Sequence, residues 1–262
     1  MTFDIATFGV ASYSFSYYEL GFIAIAAILV GAAKTGVQGA AMISVPLLAL
    51  VFGAKESTGV MLPIMILADV FAIYYYHQHA NWRDLKSLIP FALIGVVIGT
   101  VLGELMNGHV FSYAMVVIIF ISLCIMAYKE CQSSSKTSLL HERSQALWFT
   151  GSIGILGGIA TMVGNLAGPV MAMYLLAMRL PKKQFIATAA WFFFIINLSK
   201  VPFHVFVWKT ISWSSLSISL ATLPLITLGA VIGVKIVNRI SERYFRWFVI
   251  LMTAVSALAM ML

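Results

Sequence analysis

Two short polar stretches interrupt otherwise apolar sequence, and both carry groups that could bind an anion. They span residues 31–39 and 157–169, and the same kind of interruption recurs about 128 residues along the chain. Their polar side chains are Lys34, Thr35 and Gln38 in the first and Thr161 and Asn165 in the second. A helix broken inside hydrocarbon frees backbone N–H and C=O groups, so membrane proteins break helices where those groups face protein, a cavity or a ligand. The paired breaks predict a transport site.

Two ionisable side chains lie deep in apolar runs and therefore need a partner or a cavity. Asp69 is about twelve residues into its run and Lys200 about fifteen residues into its own. The offset of 128 aligns Asn197 with Asp69, and inverted symmetry would bring the two helix middles to similar depth. We expect an Asp69–Lys200 ion pair, which either locks two helices together or takes part in substrate or proton binding. His204, one turn beyond Lys200, either relays a proton or is a hydrogen-bonded structural residue.

Lys34 allows two interpretations. It could extend to the cytoplasmic interface, as lysines near helix ends do. Alternatively, it places a cation beside the N-terminus of a half-helix that begins near Val37, where free N–H groups favour an anion. Pro169 would suit the first turn of the corresponding half-helix in the second stretch. Two helix N-termini would then face one anion.

Composition indicates a polytopic membrane protein. Of the 262 residues, 10% are charged and 61% are hydrophobic, and the mean hydropathy is +0.99, whereas soluble domains average about 25% charged residues. No hydrolase or phosphate-loop motif is present, so we expect no enzyme and no cofactor. A metal site at His77 and His79 is not expected, because side chains two residues apart diverge on a helix.

The apolar runs fall at 18–33, 37–52, 57–77, 87–105, 110–128, 146–162, 165–178, 185–208, 214–234 and 246–262.

Five runs in each half predict an all-α fold of two inverted repeats, because an odd number of segments makes the second copy enter from the opposite side. The runs 37–52 and 165–178 are short against the roughly 20 residues of a membrane-spanning helix. We therefore expect broken or half-length helices in the first two segments of each repeat. Glycines four residues apart predict close helix packing, with Gly99 and Gly103 matching Gly229 and Gly233 at an offset of 130. The predicted divisions are an extracytoplasmic segment 1–17, a first repeat 18–128, a cytoplasmic linker 129–145 and a second repeat 146–262.

Loop charge predicts the orientation. Twelve of the sixteen Lys and Arg residues fall in loops on one side if every run crosses or if each broken pair turns back as a hairpin. The positive-inside rule makes that side cytoplasmic and places both termini outside the cytoplasm. If each broken pair counts as one crossing, the Lys and Arg residues divide almost evenly between the two sides of the membrane, so we reject that topology.

A set of separated motifs, in order, resembles the sulfite exporter TauE/SafE family, also called 4-toluene sulfonate uptake permeases. In the first half these are Lys34-Thr35-Gly36, Val45-Pro46-Leu47-Leu48, Lys55-Glu56-Ser57-Thr58-Gly59 and Leu67-Ala68-Asp69. In the second half they are Asn165-Leu-Ala-Gly168-Pro169, Tyr174-Leu175-Leu176, Leu180-Pro181-Lys182-Lys183, Thr188-Ala-Ala-Trp191-Phe192-Phe193 and Asn197-Leu-Ser-Lys200-Val-Pro202. Leu166 departs from the Ala often found there in relatives. The resemblance runs from about residue 20 to the end.

The resemblance implies a secondary transporter of sulfite, sulfonates or related organic anions in a bacterial-type inner membrane. We expect alternating access and proton coupling. Membrane lipid and a small anion are the expected partners, a homodimer is left open, and no nucleic acid is expected. A carrier or channel for other small anions and a membrane-embedded enzyme or assembly subunit remain alternatives. The residues expected to bind substrate are Lys34, Thr35, Gln38, Thr161, Asn165, Trp191, Asn197 and Lys200, with Asp69 and His204 in proton coupling.

Overall fold

The structure is a computed structural model, and it describes four main stretches of the chain. These are residues 13–37, 40–107, 147–178 and 180–241, together with 8–10 and a few isolated positions. The predicted runs 110–128 and 246–262 lie almost entirely outside the described residues, and the linker 129–145 lies wholly outside them. Gln38 is also outside them.

The described chain is a bundle of helices preceded by a small hairpin. Its elements are β1 (Phe8–Val10), β2 (Tyr13–Phe15), α1 (Tyr17–Lys34), α2 (Ala40–Phe52), α3 (Ala54–Tyr76), α4 (Trp82–Leu105), α5 (Leu147–Gly164), α6 (Ala167–Ala177), α7 (Lys182–Pro202), α8 (Trp213–Ala221) and α9 (Leu223–Arg239). A 3₁₀ turn, His77–His79, follows α3, and a π-helical turn, Phe203–Val207, extends α7. The other described elements are helical, as the all-α prediction requires, and the short antiparallel pair β1–β2 is an addition within the segment 1–17.

Four helical segments of the described chain are long and apolar enough to cross a membrane. They are Tyr17–Lys34, Ala54–His79, Trp82–Leu105 and Lys182–Val207, and a fifth candidate is the bent pair α8 and α9. This agrees with a polytopic membrane protein. The run predicted as a single segment at 214–234 is in fact two helices that meet at 48° around Thr222. Pro224 lies in the first turn of the second helix, where its missing N–H costs nothing.

Each predicted polar break is a helix end followed by a short helix. At the first, α1 closes with Val37 N–H donating to the Ala32 carbonyl at 2.9 Å and Gly36 N–H donating to Ala33 at 3.3 Å. This Schellman closure needs a residue with positive φ, and Gly36 has φ +136°. At the second break Asn165 takes that role with φ +58°. Asparagine tolerates this conformation better than most residues and, unlike glycine, brings an amide with it.

The described parts of the two short helices begin within a few residues of the predicted starts. The one expected near Val37 is described from Ala40, and α6 begins at Ala167, so Pro169 is its third residue. The helices are 13 and 11 residues long, which agrees with half-length segments because a crossing needs roughly 20.

Glycines bring two helix pairs into backbone contact, and the two interfaces have the same stagger. In the α1–α9 pair, a methyl group on Gly31 would overlap the Ile226 and Ala230 backbone, and one on Gly229 would overlap Ile28. In the α5–α4 pair, a methyl group on Gly158 would overlap the backbone at Ala92 and Val96, and one on Gly95 would overlap Ile155. Small residues are what allow helices to approach this closely in a membrane.

Charged side chains collect at opposite ends of this bundle. At one end, the Lys182 Nζ donates to the carbonyls of Val237 and Ile240 at 3.0 and 2.6 Å, beside the C-terminus of α9. At the other, Lys55 pairs with Glu104 at 3.2 Å, joining the start of α3 to the end of α4. The bundle interior between these ends holds a separate set of polar groups.

Candidate functional site

The first element of this interior set is an ion pair between α1 and α3. Lys34 Nζ lies 2.9 Å from Asp69 Oδ1, and the Lys34 side chain is 7% exposed while that of Asp69 is fully buried. Lys34 also sits 4.0 Å from the centre of the Phe193 ring, a distance at which a cation is attracted to the aromatic face. The prediction of an Asp69–Lys200 ion pair is therefore wrong, because Lys34 occupies that place.

The second element is Lys200, which is held by neutral oxygens. Its Nζ donates to Asn165 Oδ1 at 2.5 Å, to Thr161 Oγ1 at 3.2 Å and to Asn197 Oδ1 at 3.4 Å. Lys200 is fully buried, and within the described part of the chain no carboxylate lies within ion-pair distance of it. A buried ammonium without an anionic partner is costly in a protein interior. When Lys200 is protonated, this arrangement leaves one positive charge unbalanced.

Asn197 joins the two elements. Its Nδ2 donates to Asp69 Oδ2 at 2.7 Å, while its Oδ1 accepts from Lys200. The amide orientation follows from its neighbours, because only the NH₂ group can donate to a carboxylate and only the carbonyl can accept from an ammonium. Asp69 thus contacts one lysine directly and reaches the other through a single side chain.

A small cavity lies beside these groups and is shared by both breaks. Lys34 borders it from the first break and Asn165 from the second, and the first turns of α2 and α6 contribute Ala41, Met42 and Gly168. The remaining wall is Ala33, Met65, Ala189, Ala190 and Phe193. The cavity has a volume of about 40 Å³, so it is large enough to admit water.

Small residues create this cavity. A methyl group built on Gly168 would meet no atom within 4 Å, so the glycine faces open space. Ala189 and Ala190 leave room on α7, and Phe193, Asn197 and Lys200 continue the same helix face at spacings of three and four residues. Lys200 stands behind Asn165, which lies between its ammonium and the cavity.

The comparison with known families decides the class of protein. A family model described as sulfite exporter TauE/SafE matches residues 23–260. The chain belongs to the sulfite exporter TauE/SafE family. The resemblance read from the motifs is thereby confirmed across nearly the whole chain, and with it the assignment to membrane transport. A search of curated proteins and a search of solved structures returned no match.

Within this TauE/SafE chain, the structure brings together six of the predicted site residues. Lys34, Asp69, Asn197, Lys200, Asn165 and Thr161 form one continuous set of contacts. Asn165 also donates from Nδ2 to the Thr58 carbonyl at 3.3 Å, which ties the second break to α3.

Three other predicted residues lie apart from that set. The Thr35 hydroxyl donates to backbone carbonyls, including Ala230 at 2.9 Å, and so joins α1 to α9. Trp191 packs on Trp82 with ring centres 5.1 Å apart and does not border the cavity. His204 Nδ1 lies 2.8 Å from Thr210 Oγ1 in the turn after α7.

Phe193 was missed by the sequence reasoning although it contacts Lys34 and lines the cavity. Its spacing could have indicated this position, because Phe193 lies four residues before Asn197 and seven before Lys200 and therefore shares their helix face. Trp191 is two residues earlier on α7 and thus points about 200° away from that face. Helical spacing would have favoured Phe193 over Trp191.

These groups suit reversible binding of an oxyanion. The site has a lysine at the cavity wall, a second lysine one side chain behind, an amide, and the first turns of two short helices. Ammonium, amide and N–H donors are the groups that recognise sulfur oxyanions, and helix N-termini favour negative charge.

Proposed function

We propose that this TauE/SafE family member is a secondary transporter of sulfite or an organosulfonate across the inner membrane. The observation that carries the proposal is the cavity where the two breaks meet, bordered by Lys34 and Asn165 and backed by Lys200. The anion would contact Lys34 directly and occupy the space beside Gly168. Thr161 and Asn197 would hold Lys200 in place, while Thr35 would support the first break.

Alternating access between two inverted repeats is supported by the matching glycine interfaces. Gly31 and Ile28 in α1 correspond to Gly158 and Ile155 in α5, each separated by 127 positions. Gly229 and Gly233 in α9 correspond to Gly95 and Gly99 in α4, each separated by 134. This correspondence favours Gly95 and Gly99 over the predicted pairing of Gly99 and Gly103.

The Asp69–Asn197 hydrogen bond fits the same scheme, because these residues are 128 positions apart and touch each other. Two equivalent positions of a two-fold arrangement meet only near its axis. We place the substrate near that axis, where rocking of one repeat against the other would expose it first to one side and then to the other.

The orientation proposed from loop charge gains support from the bundle ends. Lys182 and Arg239 lie at one end of their helices, near each other through the α9 C-terminus, and belong to the basic set assigned to the cytoplasm. Lys55, assigned to the opposite side, pairs with Glu104. Both termini would be extracytoplasmic, with 18–128 and 146–262 as the two repeats.

Proton coupling would act through Asp69, the carboxylate of the described site. For a dianion such as sulfite, protonation would release Lys34 from its ion pair and free it for the anion. His204 lies one turn beyond Lys200, and its Nε2 has no hydrogen-bond partner in the described chain. That nitrogen could pass a proton toward the extracytoplasmic side.

Transport in proteoliposomes tests the function. Wild-type protein should accumulate sulfite or a small sulfonate saturably and should exchange labelled for unlabelled anion in counterflow. Lys34→Gln should reduce uptake at least tenfold, because it removes the cation at the cavity wall, whereas the exposed Lys183→Gln should not. Non-saturating flux without counterflow would indicate a channel, and equal uptake by Lys34→Gln would contradict this site.

A further inference from the structure

The site holds more basic than acidic side chains. Two buried lysines, Lys34 and Lys200, accompany one buried carboxylate, Asp69. The other polar groups in contact with them, Thr161, Asn165 and Asn197, are neutral. With all three ionised, the empty site carries a net charge of one positive unit.

The elements packed around Asp69 and Lys200 do not alter this count. Lys34 faces Asp69 from α1, and Asn197 faces it from α7. Thr161 and Asn165 face Lys200 from α5 and the turn after it. His204 is one turn along α7, its Nδ1 is engaged by Thr210, and no carboxylate of the described chain pairs with it. We therefore count its imidazole as neutral.

We infer that each binding event adds one net negative charge and leaves the site neutral: a monoanion binds alone, and a dianion binds together with one proton on Asp69. The inference rests on the proposed function and adds a charge rule to it. A monoanion neutralises the site. A dianion would leave a buried negative charge, which a low-dielectric interior penalises strongly. Adding one proton to the Asp69 carboxylate restores neutrality.

The proton follows from the geometry of the ion pair. When a dianion approaches Lys34, it competes with Asp69 for the same ammonium. Asp69 would accept a proton from the solution that delivers the dianion, Asn197 would keep its contact with the carboxyl group, and both lysines would face the ligand. Release of the dianion on the other side would return that proton to the solution there.

Methanesulfonate and sulfate are matched probes for this rule. Each has a sulfur atom with four heavy atoms arranged tetrahedrally around it, but methanesulfonate carries one negative charge and sulfate carries two. Calorimetric titration of the detergent-purified protein in two buffers with different ionisation enthalpies gives the protons taken up on binding. We expect about one proton with sulfate and none with methanesulfonate, a result that needs no variant.

Asp69→Asn sharpens the test by raising the site to two positive units without adding bulk. Sulfate should then bind without proton uptake, and its affinity relative to methanesulfonate should rise at least tenfold. Glu104→Gln is the matched control, since it neutralises an exposed carboxylate away from the site and should leave the preference unchanged.

The results separate the two ideas. Proton-free sulfate binding by wild-type protein overturns the charge rule while leaving anion binding intact. An unchanged preference in folded Asp69→Asn protein also overturns it. If wild-type protein binds neither probe, nor sulfite, the proposed function itself fails and the charge rule fails with it.

Discussion

Lys34 and Lys200 are both buried near the centre of the bundle, yet their surroundings differ. Lys34 pairs with a carboxylate, lies over an aromatic ring and reaches the cavity. Lys200 contacts only neutral oxygens and stands behind Asn165. The charge of Lys34 is thus matched by Asp69 and its head group reaches the cavity, while Lys200, when protonated, supplies a positive charge that no carboxylate matches.

This difference separates two roles that a single lysine could not fill. A cation already paired with Asp69 attracts an anion weakly, but it can be freed when Asp69 is protonated. Lys200, when protonated, attracts an anion whether or not Asp69 is protonated, and its three hydrogen bonds hold it behind Asn165. The comparison predicts that contact and charge can be altered independently.

Removing the unmatched charge should have the largest effect. Lys200→Met takes away the net positive charge and leaves three buried oxygens without their donor, so kcat/KM for sulfite should fall about 100-fold or more. Proteoliposome uptake at equal protein incorporation measures it. Lys183→Met is the control, since Lys183 is exposed. Near-normal transport by Lys200→Met would remove the central role of this lysine.

Moving the carboxylate from the Lys34 side to the Lys200 side should have the next largest effect on anion binding. Asn197→Asp places a second carboxylate beside Lys200, makes the site neutral and should weaken anion binding about tenfold or more. Adding Asp69→Asn to that variant restores the net charge, and binding should recover in the double variant. Additive losses in the double-mutant cycle would contradict the charge comparison.

Filling the cavity should discriminate by ligand size. Gly168→Ala adds a methyl group into open space, so the helix should stay intact while sulfonates larger than sulfite bind several-fold more weakly. Gly21→Ala is a matched control, because a methyl group there also meets nothing within 4 Å but lies on α1 away from the cavity. Equal effects from both substitutions would argue against this cavity as the binding site.

Substitutions of Thr35 and Thr161 should distinguish a hydrogen bond that stabilises the fold from one that holds Lys200 in place. Thr35→Val removes a hydroxyl that donates to Ala230, so it should lower thermal stability by about 1–3 kcal/mol with little change in KM. Thr161→Val removes one of three acceptors of Lys200 and should raise KM about threefold. A reversed pattern in thermal shift and uptake assays would contradict these assignments.

Trp191→Phe should have the smallest effect of the predicted site residues. Trp191 packs on Trp82 and does not border the cavity. Transport should stay within about twofold of wild type, because ring packing is largely retained. A loss comparable to that of Lys34→Gln would place the ligand on the other face of α7.

Much of this site could be predicted from sequence because its chemistry is unusual for hydrocarbon. Lys34, Asp69 and Lys200 were recognisable as ionisable residues in apolar sequence. The offset of 128 aligned Asp69 with Asn197, but it did not predict the hydrogen bond between them. The choice of lysine for Asp69 could not be predicted. It depends on how α1 is rotated relative to α3. That rotation is set by the close packing of α1 on α9 at Gly31, a tertiary contact that the sequence does not reveal.

The fold shows the same limit. Hydropathy predicted the described helices to within a few residues at most ends, since apolar length decides what can lie in a membrane. It did not predict the 48° bend at Thr222, because both sides of the bend are equally apolar. Nor did it predict the β1–β2 hairpin, whose strands are three residues each and too short for a periodic signal.

Direct observation of the ligand tests the central claim. Selenite is the heavier analogue of sulfite, and diffraction at the selenium edge from crystals soaked in it would locate the anion. We predict one strong anomalous peak in the cavity, within hydrogen-bond distance of Lys34 Nζ and beside Asn165 and Gly168. A peak elsewhere in the bundle, with this cavity unoccupied at saturating selenite, would contradict the account.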